Sequence, residues 1–105
     1  MCHIFAGQAA ERYAYETRSV RLRGHVTSIR LEKAYWDILE DIAEQQRVPL
    51  ARFLTTLYEE VLELRGEARN FTSLLRCACL TYVEQVRDDA TREAELKSEA
   101  ERAMI

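Results

Sequence analysis

Apolar residues recur with two different rhythms along this chain. Between residues 18 and 31 they alternate: Val20 and Leu22 first, then Ile29 and Leu31. Alternation is the mark of a strand, whose successive side chains point to opposite faces. The first pair stands at even positions and the second at odd ones, so the apolar face must change parity between the two halves. Gly24 is the natural place for a bulge or bend that makes the switch. Beyond it, His25, Thr27, Ile29 and Leu31 share one face, and Val26, Ser28 and Arg30 share the other.

From about Lys33 to Gln46 the rhythm becomes helical. Tyr35, Ile38, Leu39 and Ile42 recur at steps of three and four, Trp36 and Ala43 widen the stripe, and Asp37, Glu40, Asp41 and Glu44 take the wet side. Residues 46–48 make a tight connection, and Pro49 suits the first turn of a second helix, where a missing N–H costs nothing. Leu50, Phe53, Leu54, Leu57, Tyr58, Val61 and Leu62 form that helix's apolar face, and Gly66 ends it. Asn70 or Thr72 caps a third helix through Phe71, Leu74, Leu75, Ala78, Tyr82, Val83 and Val86. After Arg87 the sequence favours helix but has almost no apolar stripe, which predicts a solvated extension or a frayed tail.

With 105 residues the chain suits one domain. Its predicted divisions are an N-terminal arm over 1–17, a strand and two helices over 18–64, a third helix over 65–87 and a charged extension over 88–105. One Pro and three Gly leave little punctuation, so the expected fold is mainly α with one short strand. No internal repeat is evident. A lone strand has unpaired N–H and C=O groups on both edges. The simplest partner is the same strand of a second copy, which predicts a homodimer around an intersubunit antiparallel ribbon.

Charge sharpens this picture. Residues 1–33 carry six Lys/Arg against three Glu, whereas 34–105 carry nine against fifteen acids, in a chain of net charge −3. A basic end on an acidic body suits a nucleic-acid face, although a solvated strand edge kept soluble by arginines explains the same clustering. No stretch approaches the roughly 18–20 apolar residues of a membrane span, and the first residues lack a secretory signal, so a cytoplasmic protein is expected. Three cysteines, Cys2, Cys77 and Cys79, without a secretory context argue against disulfides. Cys77 and Cys79 fall on nearly opposite faces of a helix and suit small buried hydrophobes better than a metal site. With two His, no Gly-rich phosphate loop and no nucleophile beside a base, the sequence offers no enzyme, and no cofactor is expected. His25 suits a packed or edge imidazole, the tyrosine hydroxyls suit core and rim, and Arg76 suits an ion pair with Glu84 or a partner's acid.

The order of elements resembles the ribbon-helix-helix family of bacterial DNA-binding regulators, the Arc- and methionine-repressor-like superfamily. TSIRLE (27–32), WDILEDIA, the QQRVP turn and LARFLTTLYEEV carry the resemblance. RSVRLRGHVTSIRLEKAYWDIL and the later NFTSLLRCACLTYV extend it over about 17–83, as in a subfamily with T-S-x-x-L-E and a downstream N-F-x-S-L-L-R helix. The resemblance implies a dimeric ribbon in the major groove of double-stranded DNA, reading bases with Val26, Ser28 and Arg30. Arg30 is the strongest reader. Val26 departs from the polar residue usual at its position and offers only an apolar contact to a thymine methyl. The resemblance also implies phosphate contacts at the start of the second helix, near Pro49, Leu50 and Ala51. Pro49 departs from the usual Ser or Thr and removes a donor, and Arg47 and Arg52 stand nearby to contribute. Arg18, Arg21 and Arg23 extend the basic footprint. Ile29, Leu31, Trp36, Leu39, Ile42, Phe53, Leu54 and Leu57 would form the shared dimer core.

The function these readings favour is a sequence-specific transcriptional regulator, acting as a repressor, as a dimer or as a pair of dimers on adjacent half-sites. The alternative is a protein-interaction module, antitoxin-like, that grips a protein partner through its C-terminal region and binds little DNA.

Overall fold

The computed structural model describes residues 2–87 and 89–104, with Cys2, Ala103 and Met104 described by backbone alone. A short helix, α1 (Cys2–Ala6), and a 3-10 turn (Ala10–Tyr13) lead into strand β1 (Tyr15–Leu22) and strand β2 (His25–Glu32). Helices α2 (Lys33–Gln45), α3 (Leu50–Arg65) and α4 (Phe71–Thr81) follow. A π-helical turn (Tyr82–Val86) then leads to α5 (Ala90–Met104).

The ribbon differs from the expectation. Residues 18–31 do not form one bulged strand awaiting a second chain. They fold back on themselves, and β1 begins at Tyr15, inside the segment expected to be an arm. The two strands pair antiparallel within the chain, with Tyr15 opposite Glu32, Ser19 opposite Ser28 and Leu22 opposite His25. The loop between them is Arg23–Gly24, with φ of 51° and 81°. Two successive positive φ values are the signature of a type I′ turn, whose twist matches that of a hairpin. The change of parity follows from this turn. Opposed residues share a face, so Val20 and Leu22 at even positions lie on the same side as Ile29 and Leu31 at odd ones. A partner strand from a second chain is therefore not needed to form the two-stranded sheet.

That shared face is the roof of the core. Val20, Leu22, Ile29 and Leu31 are buried against Trp36, Leu39 and Ile42 of α2 and Leu54 of α3. Leu75, Cys79 and Tyr82 close the far side. Of the residues expected to form a dimer core, Ile29, Leu31, Trp36, Leu39, Ile42 and Leu54 are buried inside one chain, with Phe53 and Leu57 packed half-buried against them. Fully burying one such side chain stabilises by about 1.5–3 kcal/mol, so this cluster outweighs the exposed ion pairs, each about 0–1 kcal/mol. The Trp36 indole N–H donates to the Glu16 carbonyl at 2.8 Å, tying α2 to β1. Tyr58 and Phe71 meet edge to face at 5.2 Å between ring centres, joining α3 to α4.

Several ends depart from expectation in detail. Pro49 is the N-cap of α3, not part of its first turn, with ψ of 149°. Asn70 caps α4 through a left-handed backbone, φ 55°, without a side-chain hydrogen bond. Gly66 does end α3 in the left-handed region, and its N–H donates to Leu62 O at 2.8 Å. Cys79 is buried, and burial pushes its thiol up to about 11, whereas Cys77 is exposed. Arg76 pairs with Glu32 at 2.8 Å and not with Glu84. The C-terminal extension is a docked helix: Ala100 of α5 is buried and Leu96 packs on the core.

Two outcomes are expected. Arg23 adopts a conformation that costs a β-carbon-bearing residue about 1–2 kcal/mol and that Asn tolerates well. Arg23→Asn should therefore raise the thermal midpoint, read by circular dichroism. Second, partial desolvation of this largely exposed group and then the neighbouring Glu99 and Glu63 raise the Glu60 carboxyl. A carboxylate raised on folding binds more protons folded than unfolded, so its charge lowers stability as pH rises through and above its ordinary range. Glu60→Gln should thus stabilise the fold at pH 7, and the gain should disappear in melts near pH 4.

Candidate nucleic-acid interface

The hairpin has one face in the core and one in solvent. Its outer face is set by register: Thr17 opposite Arg30, Ser19 opposite Ser28, and Arg21 opposite Val26. All six are exposed, Val26 to 64%. Val26, Ser28 and Arg30 thus stand together on one open surface, as their shared parity predicts. Thr17, Ser19 and Arg21 of β1 stand beside them, and only Arg21 was expected near this surface, in a different role. The signal that would have found the other two is the parity change across Arg23–Gly24, which marks a two-residue hairpin as well as a bulge.

The arginines divide by face. Arg18 belongs to the inner side, where its Nε donates to Glu16 at 2.6 Å and its Nη1 to Glu40 at 2.8 Å. Its guanidinium also stacks 4.7 Å from the Trp36 ring centre. Partial burial disfavours its charge, but the two carboxylates outweigh that and raise its pKa. Arg18, expected to extend the phosphate footprint, is thus held by two carboxylates of its own chain. Arg30 instead stacks on Tyr15, with its guanidinium carbon 4.1 Å from the ring centre. Arg21 donates from Nη1 to the Gly24 carbonyl at 3.1 Å. Neither has an ion-pair partner among the described residues, so both keep an uncompensated charge. Arg23 is exposed at the hairpin tip, and His25, opposite Leu22, is exposed as well.

The second expected surface lies elsewhere in the fold. Arg47, with φ of 58°, sits in the connection between α2 and α3. It shares a groove with Val48, Pro49 and Leu50, and with Glu40 and Glu44 of α2. Ala51 and Arg52 are exposed in the first turn of α3. The two acids on this rim make it less favourable to an anion than the hairpin face. The Thr55 hydroxyl of α3 lies 3.2 Å from the Arg21 carbonyl and links the helix to β1.

No group of three or more His, Cys, Asp or Glu among the described residues could hold a metal ion. No helix among them is long and apolar enough to cross a membrane.

This arrangement is shared with a solved structure, that of an uncharacterized protein from Bordetella pertussis Tohama I. The two are 40% identical and superpose with a TM-score of 0.83, over 95% of this chain and 85% of that one. No curated protein matches the chain. A family model described as a ribbon-helix-helix domain matches residues 15–83, which begin with the hairpin and end in the π-helical turn after α4. The chain belongs to the ribbon-helix-helix domain family.

Proposed function

We propose that this protein is a DNA-binding transcriptional regulator that lays the outer face of its hairpin in the major groove. The observation that carries the reading is the composition of that face. From the Thr17–Arg30 pair to the Arg21–Val26 pair it holds hydroxyls, one Val and two arginines, and the one carboxylate of the same parity, Glu32 opposite Tyr15, is taken up by Arg76, on a chain of net charge −3. The groove accepts a two-stranded ribbon, and side chains standing out from it reach base edges. Arg30 suits guanine, whose O6 and N7 it can hold in a forked pair, and Ser28 can bond either a base or a phosphate. Arg23 at the tip, and the first turn of α3 with Arg47 and Arg52, supply backbone contacts that position the ribbon without reading sequence. Family membership supports the same reading, including action as a dimer on DNA.

The test is a binding titration of the purified protein against pooled genomic fragments at about 0.15 M salt, where weak nonspecific contacts are suppressed. Selective retention of a few fragments is expected. Arg30→Ala should weaken that selectivity, costing about 1–3 kcal/mol of discrimination at the base it reads. Arg23→Asn should weaken binding to all fragments alike and flatten the salt dependence by about one charge, although the fold itself is more stable. A folded protein that retains no fragment would refute the reading.

A further inference from the structure

The two strands of the hairpin repeat one short segment. Ser19-Val-Arg-Leu22 and Ser28-Ile-Arg-Leu31 are the same segment, nine residues apart, with one Val/Ile exchange. Ser19 and Ser28 are also partners across the ribbon. In an antiparallel pair, a twofold axis perpendicular to the sheet passes through such a couple and maps each strand onto the other. Here it carries Val20 onto Ile29, Arg21 onto Arg30, Leu22 onto Leu31 and Thr17 onto Val26. The inner equivalents are alike in burial, at 7% and 2% for Val20 and Ile29, and 5% and 0% for Leu22 and Leu31. The slots that hold the two guanidiniums correspond as well. Arg30 rests on Tyr15, and Arg21 bonds to Gly24, the residue nine positions on from Tyr15.

Packing accounts for half of this symmetry only. A core beneath the ribbon requires apolar residues at positions 20, 22, 29 and 31. It makes no demand on the exposed face, where Ser faces Ser and the two arginines stand at equivalent ends. Resting on the DNA-binding reading above, we infer that a single hairpin is a pseudo-twofold reader. Arg21 and Arg30 of one chain recognise two guanines on opposite strands of a short inverted repeat. Duplex DNA has local twofold axes perpendicular to its own axis, so a ribbon with matching symmetry meets equivalent base edges on both strands. The arginines stand four residues apart along the ribbon, about 13 Å at ~3.3 Å per residue, or about four base pairs at ~3.4 Å each. Thr17 and Val26 occupy equivalent positions and each carries a methyl group, which suits a thymine methyl in either half.

The experiment is selection of duplexes from a randomised pool by the full chain, by Arg21→Ala, by Arg30→Ala and by the double variant. The wild type should enrich an inverted repeat with guanines about four base pairs apart on opposite strands. Each single variant should enrich sites keeping only one of the two guanines and should bind the original site about 5–150-fold more weakly. The double variant should show no preference at either position. An enriched site without inverted symmetry overturns the inference. So does loss of both guanine preferences in Arg30→Ala with none in Arg21→Ala, because that pattern means one reading arginine per chain and symmetry supplied by two chains. Failure of any duplex to enrich, with a native circular dichroism spectrum, instead removes the DNA-binding reading itself, and this inference with it.

Discussion

Two successive residues with positive φ, Arg23 and Gly24, set the geometry on which the rest of the molecule depends. A side chain in a strand has two choices of face, and the length of the loop decides which residues of the second strand join those of the first. With two residues in the loop, Val20 and Leu22 share a face with Ile29 and Leu31 and close the core over Trp36 and Leu39. One more residue would turn one apolar pair outward and bring polar groups of the other face over the core. The same constraint aligns Thr17, Ser19 and Arg21 with Arg30, Ser28 and Val26 on the open side. Stability and the candidate interface are thus two consequences of one turn.

The charges are sorted by what holds them. Arg18, Arg76 and Arg87 each meet a carboxylate, of Glu16 and Glu40, of Glu32 and of Asp41 respectively. The Arg76 bond holds the Glu32 carboxyl below its usual range, so the link from β2 to α4 persists at neutral pH. Arg21 and Arg30 are held differently, by a carbonyl oxygen and by an aromatic face. Such partners orient a guanidinium without neutralising it, and an exposed cation–π contact contributes only about 0.5–1 kcal/mol. Because charges are screened within about 8 Å at physiological salt, acids on remote helices do not cancel a positive face. An acidic protein can therefore carry a locally basic surface, provided its acids pair with other arginines.

The three central helices were legible in the sequence because each buries a stripe repeating at three and four residues. The hairpin was legible only in part. The parity change is visible in Val20, Leu22, Ile29 and Leu31, but a bulge and a two-residue turn produce the same change. Arg-Gly is also a weaker turn signal than Asn-Gly. The outer placement of Val26, Ser28 and Arg30 followed from parity alone. Arg18 shares parity with Val20 and could have been set on the inner face, but its partner Glu40 lies 22 residues away and the pairing is tertiary. The Glu32–Arg76 bond spans 44 residues and left no local trace. Among the described residues of α5, Leu96 and Ala100, one helical turn apart, supply the apolar docking contact, which is too little for a stripe to show.

A hairpin closed within one chain also moves the burden of any self-association. Had the ribbon been intersubunit, separating two chains would have broken a row of backbone hydrogen bonds and exposed the core beneath it. Here those bonds and that core belong to one chain, so dissociation costs neither. What remains for a second copy to cover is the apolar surface left half-buried on the helices, such as Phe53, Leu57 and Tyr58 of α3. Contact there would rest on apolar area and side-chain fit, with the ribbon free to keep its own geometry. Reading and pairing would then be separate properties of different elements, so a substitution on the outer face of the hairpin could alter one without disturbing the other.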